Sequence, residues 1–300
     1  MNPTPRRVSL LRGDALAEVA LAGGELLRWR DRGHELLWHA DPRWWPRCSP
    51  VLFPIVGRLR AGRTRIDGRV VEMDIHGFAG SQDFSLRSAE ADQVTLGLAS
   101  SEATRSLYPF DFDLSLTYRL HDGGLEVTMC VANLGRHTMP FALGLHPGVR
   151  WPFSALSAGH SPDGHSIVFE RPEAPRVPVI SAAGLMSSAQ RSVPLVDRRL
   201  PLTAALFEQE ALCFLDARSR SLRFESPDGA AIVVAVQDFP HWALWSMPGA
   251  PFVCIEAWTG LPDAEDFDGE LADKRSMRHL APGAMSEHRI NLSFQPAGIA

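Results

Sequence analysis

DFDLSLTYRLHDGGLEVTMCVANL, residues 111–134, alternates apolar and polar side chains on either side of a Gly-containing turn. Phe112, Leu114, Leu116 and Tyr118 or Leu120 fall on one face, which is the period of a half-buried strand. The turn at 121–124 leads into a partner strand over 125–134. The same grammar recurs along the chain, as short runs rich in β-branched and aromatic residues closed by Gly, Asp, Asn or Pro about ten residues later. Strands are predicted at 25–30 and 35–38 around Asp31-Arg32-Gly33, and at 64–66 and 69–73 around Asp67-Gly68, a strong hairpin signal. Others are predicted at 138–145, 166–169, 211–215, 221–225, 230–236, 242–246 and 286–294, with Asp228-Gly229 as another hairpin turn. About fifteen strands in one open sheet would have to fold over or split. The expected fold class is therefore all-β, a large antiparallel β-sandwich forming a single domain over 1–300. The Ala- and Ser-rich segment 154–192, with Pro162, Pro172, Pro175 and Pro178, is expected as an irregular surface excursion.

Composition excludes several classes of function. Hydrophobic residues make up 45% and charged residues 22% of the 300, with a net charge of -5, an ordinary globular balance that implies neither a nucleic-acid partner nor an anionic-membrane surface. No apolar window reaches the roughly 18 residues of a membrane span. Arg12, Asp14 and Glu18 interrupt the first segment before a signal-like core forms, so a cytoplasmic location is expected. Cys48, Cys130, Cys213 and Cys254 are spread singly and read as reduced core residues. The sequence says nothing about oligomeric state.

A few polar residues stand inside apolar frames. Glu256 lies in PFVCIEAWTGLP (251–262), after a short continuous run that reads as a buried strand and places the carboxylate at its inner end. His76 lies in MDIHGFAG, His146 in FALGLHPG, and Arg58 near the end of VLFPIVGRL, a strand-like run broken by Pro54 and Gly57. Each alone reads at least as well as a core residue satisfied by its neighbours. Together, one Glu and two His suit proton transfer to and from a neutral substrate, with the Glu ionised as base and a His, raised by a neighbouring carboxylate, as acid. Arg58, Trp245 and Trp258 would hold a polyhydroxylated ligand through hydrogen bonds and flat aromatic faces. Signatures of serine hydrolases, zinc peptidases and nucleotide-binding loops are missing. Asp263, Glu265, Asp266, Asp268 and Glu270 lack calcium-loop spacing and read as a solvated loop, so no metal site is expected.

SPVLFPIVGRL (49–59), HGFA (76–79), LGLHPG (143–148) and PFVCIEAWTGLPD (251–263), in this order and spacing, resemble the aldose 1-epimerase (galactose mutarotase-like) family, in particular its branch of shorter bacterial proteins related to LacX. The resemblance implies a galactose mutarotase-like supersandwich with an open cleft, and a cofactor-free exchange of α and β sugar anomers. By carry-over, Glu256 is the base at the anomeric hydroxyl and His146 the acid at the ring oxygen. His76 assists there, and Arg58 binds sugar hydroxyls. Glu210 in LFEQEALCF and Trp245 in ALWSMPG are further substrate-binding candidates, Glu210 standing where the family has an Asp. The family often has Arg after HGFA, and this chain has Gly80. The partner is thus expected to be a small-molecule sugar, an aldohexose. The alternatives are a hexose 6-phosphate, met by Arg60 and Arg63, and a non-catalytic carbohydrate-binding module. A glycoside hydrolase would need a second carboxylate that nothing in the sequence fixes.

Overall fold

The computed structural model describes residues 6–153 and 163–298. The hairpin at 111–134 forms as read: Phe112–His121 pairs antiparallel with Gly124–Asn133, from Phe112 opposite Asn133 to His121 opposite Gly124. Buried and more exposed side chains alternate along both strands, because one face packs on the core and the other meets solvent. The pair belongs to a nine-stranded antiparallel sheet in the order Arg199–Pro201, Ser166–Phe169, Ser221–Glu225, Ala231–Gln237, Met285–Gln295, Gly124–Asn133, Phe112–His121, Gln93–Ala99, Ser85–Ala89.

A six-stranded sheet has the order Leu212–Phe214, His241–Trp245, Phe252–Trp258, Gly144–Leu145, Val51–Leu52, and Gly148–Arg150 also pairs with Phe252–Trp258. Arg7–Arg12, Ala15–Ala20, Leu26–Asp31 and His34–Glu35 form a four-stranded sheet. Buried side chains of the three sheets join in one contiguous core that includes Trp29, Leu116, Val127, Trp242 and Ile255. The architecture is the expected all-β one with large antiparallel sheets.

Several local expectations change. The run 138–145 splits into Met139–Phe141, which pairs with Arg278–Leu280, and Gly144–Leu145, which joins the six-stranded sheet. Of VLFPIVGRL only Val51–Leu52 is strand, and the rest is an irregular segment, buried except at Arg58. Within 154–192, residues 154–162 lie outside the described residues. The remainder is more regular than expected, with the strand Ser166–Phe169 and a hairpin of Arg176–Ile180 on Met186–Ser192. Pro178 is tolerated there because each strand of a two-stranded ribbon has an unpaired edge. No helix among the described residues is long and apolar enough to cross a membrane.

Candidate active site

Phe252–Trp258 is buried at every position, flanked by strands on both sides. Glu256 lies within it, opposite Ala243, rather than at its inner end, because Ala257 and Trp258 continue the pairing onto Leu145 and Gly144. Ala243 is in turn opposite Cys213, so Cys213, Ala243 and Glu256 form a row on one face of the sheet. Glu256 and Cys213 line a cavity of about 550 Å³, and the small side chain of Ala243 separates them.

His146 directly follows Gly144–Leu145, and its Nε2 stands 3.2 Å from Glu256 Oε2. The Trp258 indole Nε1 donates to the same oxygen at 3.0 Å. At 4% exposure Trp258 is a buried clamp on the carboxylate rather than the open stacking face its sequence position suggests. The outer atoms of the pair, Glu256 Oε1 and His146 Nδ1, are buried and have no hydrogen-bond partner among the described residues. Burial pushes the Glu256 carboxyl well above its usual range against the hydrogen bond from Trp258, and pushes His146 well below its own, with His76 and Arg47 adding to the effect. The expectation of an ionised Glu beside a raised His is therefore corrected. Desolvation disfavours a lone charge on either group, which favours a neutral carboxyl beside a neutral imidazole.

His76 reaches the same cavity, its ring edge-on to His146 at 5.5 Å. Its backbone has φ +67°, sparsely allowed for a residue with a side chain, between Asp74 and Gly77, whose N–H closes the turn onto the Asp74 carbonyl. The Gly57 N–H donates to His76 Nδ1 at 3.1 Å. Burial, and then the charge of Arg58, lower this His to about 3, so it is neutral at physiological pH. With Nδ1 accepting, the proton sits on Nε2, which makes His76 a hydrogen-bond donor and not a proton reservoir.

Arg58 lines the cavity, and its guanidinium has no hydrogen bond or ion pair among the described residues. The side chain lies over Gly184, where an added Cβ would stand 2.5 Å from Arg58 Cδ. Glu210 lines the rim, exposed, with φ +64° and its carbonyl accepting from Arg191. Trp245 forms a wall, edge-on to His146 at 5.9 Å. Arg60 and Arg63 line a separate groove with Phe267 and Asp268. Asp263 departs from the solvated loop read at 263–270. It is buried and ion-paired with Lys274, and it accepts the Arg60 N–H at 2.8 Å.

Two cavity residues had no signal of their own in the sequence. Trp45 packs against His146 with ring centroids 4.9 Å apart and the planes tilted by 32°, and Arg47 is anchored by Glu25. Both sit in WWPRCSP, which reads as loop. The Arg47 contact with the Gly80 carbonyl puts a guanidinium beside the position where the family pattern has an Arg side chain.

The family model for aldose 1-epimerase matches residues 6–176. Protein LacX (chromosomal) of Lactococcus lactis subsp. lactis is 30% identical over 286 residues, covering 91% of this chain and 94% of that protein. Among solved structures, a galactose mutarotase-like protein from Lactobacillus casei superposes with a TM-score of 0.90 at 27% identity, covering 97% of this chain and 100% of that one. A galactose mutarotase related enzyme from Lactobacillus acidophilus gives 0.90 at 27% identity, covering 98% and 99%. With the family model matched over more than half its length and LacX aligned over nine-tenths of it, the chain belongs to the aldose 1-epimerase family.

Proposed function

We propose that the protein interconverts the α and β anomers of an unphosphorylated aldohexose. The observation that carries this reading is the contact between Glu256 and His146 in the cavity, with the outer oxygen of one and the outer nitrogen of the other unpartnered among the described residues. Moving the carboxyl proton onto His146 gives a carboxylate base and an imidazolium acid side by side. A pyranose presents the matching pair, an anomeric hydroxyl and a ring oxygen on one carbon.

In the forward step Glu256 takes the proton of the anomeric hydroxyl while His146 gives its proton to the ring oxygen. The C1–O5 bond breaks and an open-chain aldehyde forms. The dyad is then carboxyl plus neutral imidazole, the form that its burial favours. His76 donates from Nε2 to the ring oxygen as charge develops there. Rotation about C1–C2 turns the other carbonyl face towards O5. The reverse transfers close the ring as the opposite anomer and return the dyad to its starting state. Arg58 and Glu210 hold sugar hydroxyls, and Trp245 lies against the C–H face of the ring.

The hexose 6-phosphate alternative loses its motive, since Arg60 and Arg63 line a different groove and only Arg58 of the three lines the cavity. A binding module has no use for two buried ionisable groups that cost desolvation and leave outer atoms unpaired. The test is polarimetry or NMR of freshly dissolved α-galactose, α-glucose and glucose 6-phosphate. Wild type is expected to accelerate equilibration of a free hexose most, and no acceleration on any of the three, with sugar binding still measurable, would favour the binding module.

A further inference from the structure

We propose that Arg47 is a substrate-binding residue of the cleft, a guanidinium fixed from behind so that its remaining nitrogen meets a sugar hydroxyl. The inference rests on the epimerase reading for its substrate class. Three observations support it.

The first is the division of labour on the guanidinium. Nε donates to Glu25 Oε2 at 3.0 Å and Nη2 donates to the Gly80 carbonyl at 2.9 Å. Nη1, with two N–H groups, has no partner among the described residues, on a side chain that lines the cavity and is 36% exposed. A planar guanidinium held at two corners has its third corner aimed without further entropy loss.

The second is the anchor. Glu25 is 7% exposed, and its other oxygen accepts the N–H groups of Cys48 at 2.7 Å and Ser49 at 3.0 Å, the residues that follow Arg47. The carboxylate thus fixes both the arginine and the backbone that carries it. A buried carboxylate with three donors on it is a rigid support, the kind of outer-shell partner that makes a binding group precise.

The third is the space. Gly80 has no positive φ, so its backbone conformation does not demand glycine. A Cβ added there would stand 3.2 Å from Arg47 Nη2 and 3.3 Å from the Val51 carbonyl. Glycine gives clearance at this position, both to the Arg47 guanidinium and to the Val51 carbonyl. The positive charge also reaches His146, disfavouring its imidazolium. Arg47 lines the same cavity as His146, the acid of the proposed reaction, on a different chain segment from Arg58.

A purely structural buckle between Glu25 and the Gly80 loop is the competing explanation, and kinetics separate the two. For the best free hexose, Arg47→Met is expected to raise KM about tenfold or more, the scale of a lost charged hydrogen bond, with kcat changed far less. Arg47→Lys retains an ammonium for Glu25 but loses the third corner of the fork, so its KM should also rise while its Tm stays near wild type. Gly80→Ala crowds Nη2 and should raise KM by a smaller factor. In Arg47→Ala/Gly80→Arg, a guanidinium supplied from the neighbouring loop should recover part of the loss. A fall in Tm with KM unchanged in both Arg47→Met and Arg47→Lys would overturn the proposal, as would a loss confined to kcat. If wild type proves inactive on every sugar, the epimerase reading fails separately. Calorimetric titration with galactose and glucose then decides Arg47: a Kd weakened in Arg47→Met supports it, and an unchanged Kd or no binding by wild type overturns it.

Discussion

The nine-stranded and six-stranded sheets treat polar side chains in opposite ways. On Gly124–Asn133 buried and more exposed positions alternate, and Glu126 pairs with Arg119 at 2.9 Å on the outer face. On Phe252–Trp258 nothing is exposed, and the one carboxylate points into the cavity instead of into solvent. A charge on the first sheet costs little, because water and neighbours satisfy it. A carboxyl on the second is costly to bury, and it persists where it has work to do. The difference lies in the number of covered faces, and it makes the same residue type ordinary in one sheet and informative in the other.

The comparison breaks most decisively at Glu256 and His146. Glu256→Gln and His146→Asn are each expected to lower the anomerisation rate 10²- to 10⁴-fold, the usual range for a lost general base or acid, while circular dichroism shows a folded β protein. Near-normal turnover in either would remove its assigned role.

On the other sheet the large effect falls on stability. Leu116, fully buried between Leu96 and Met129, is expected to cost about 2–5 kcal/mol as Leu116→Ala in denaturant titration. Turnover per folded molecule should not change. A loss of kcat in that variant would show that the sheets are less independent than drawn.

A smaller effect has the sign of a trade-off. The folded-state pKa of Glu256 is raised above the ordinary 4.5, so the advantage of its neutral form is complete below pH 4.5 and is lost as pH rises towards the folded value. Glu256→Gln removes that loss. It should be more stable than wild type at pH 8 by about 0.5–2 kcal/mol, with the gap closing as pH falls from the raised folded-state value towards 4.5. Scanning calorimetry at the two pH values checks this, and a variant less stable at pH 8 would reverse the reading of the buried carboxyl. The smallest effect is expected for Arg119→Ala, which removes a half-exposed ion pair and should cost under about 1 kcal/mol in the same assay.

The two sheets also differed in how well the sequence announced them. Strands with one wet face, such as Phe112–His121, carry the period in their side chains, and Asp67-Gly68 and Asp228-Gly229 turn where expected. Ser85–Ala89 was not legible because it is an edge strand with every residue exposed, so no alternation exists to read. In VLFPIVGRL, burial imitates a long strand where only Val51–Leu52 is strand and Phe53 adds a single bridge to Gly77.

In the cavity, Glu256, His76, His146 and Arg58 stood out as polar groups in apolar frames, and the cavity brings all four together. Trp45 and Arg47 did not stand out. The partner of Arg47, Glu25, is on a different segment, and pairing across segments leaves no local trace.

The way the cavity is assembled bears on how the protein acquires activity. Leu52 pairs with Gly144, Gly144 with Trp258, and Ala243 with both Glu256 and Cys213, so the sheet that carries Glu256 depends on pairing between distant parts of the chain. Such closures come late and slowly in folding, because chain entropy is lost before contacts compensate it. No half of the chain should retain partial activity, and on refolding turnover should return with the last cooperative phase.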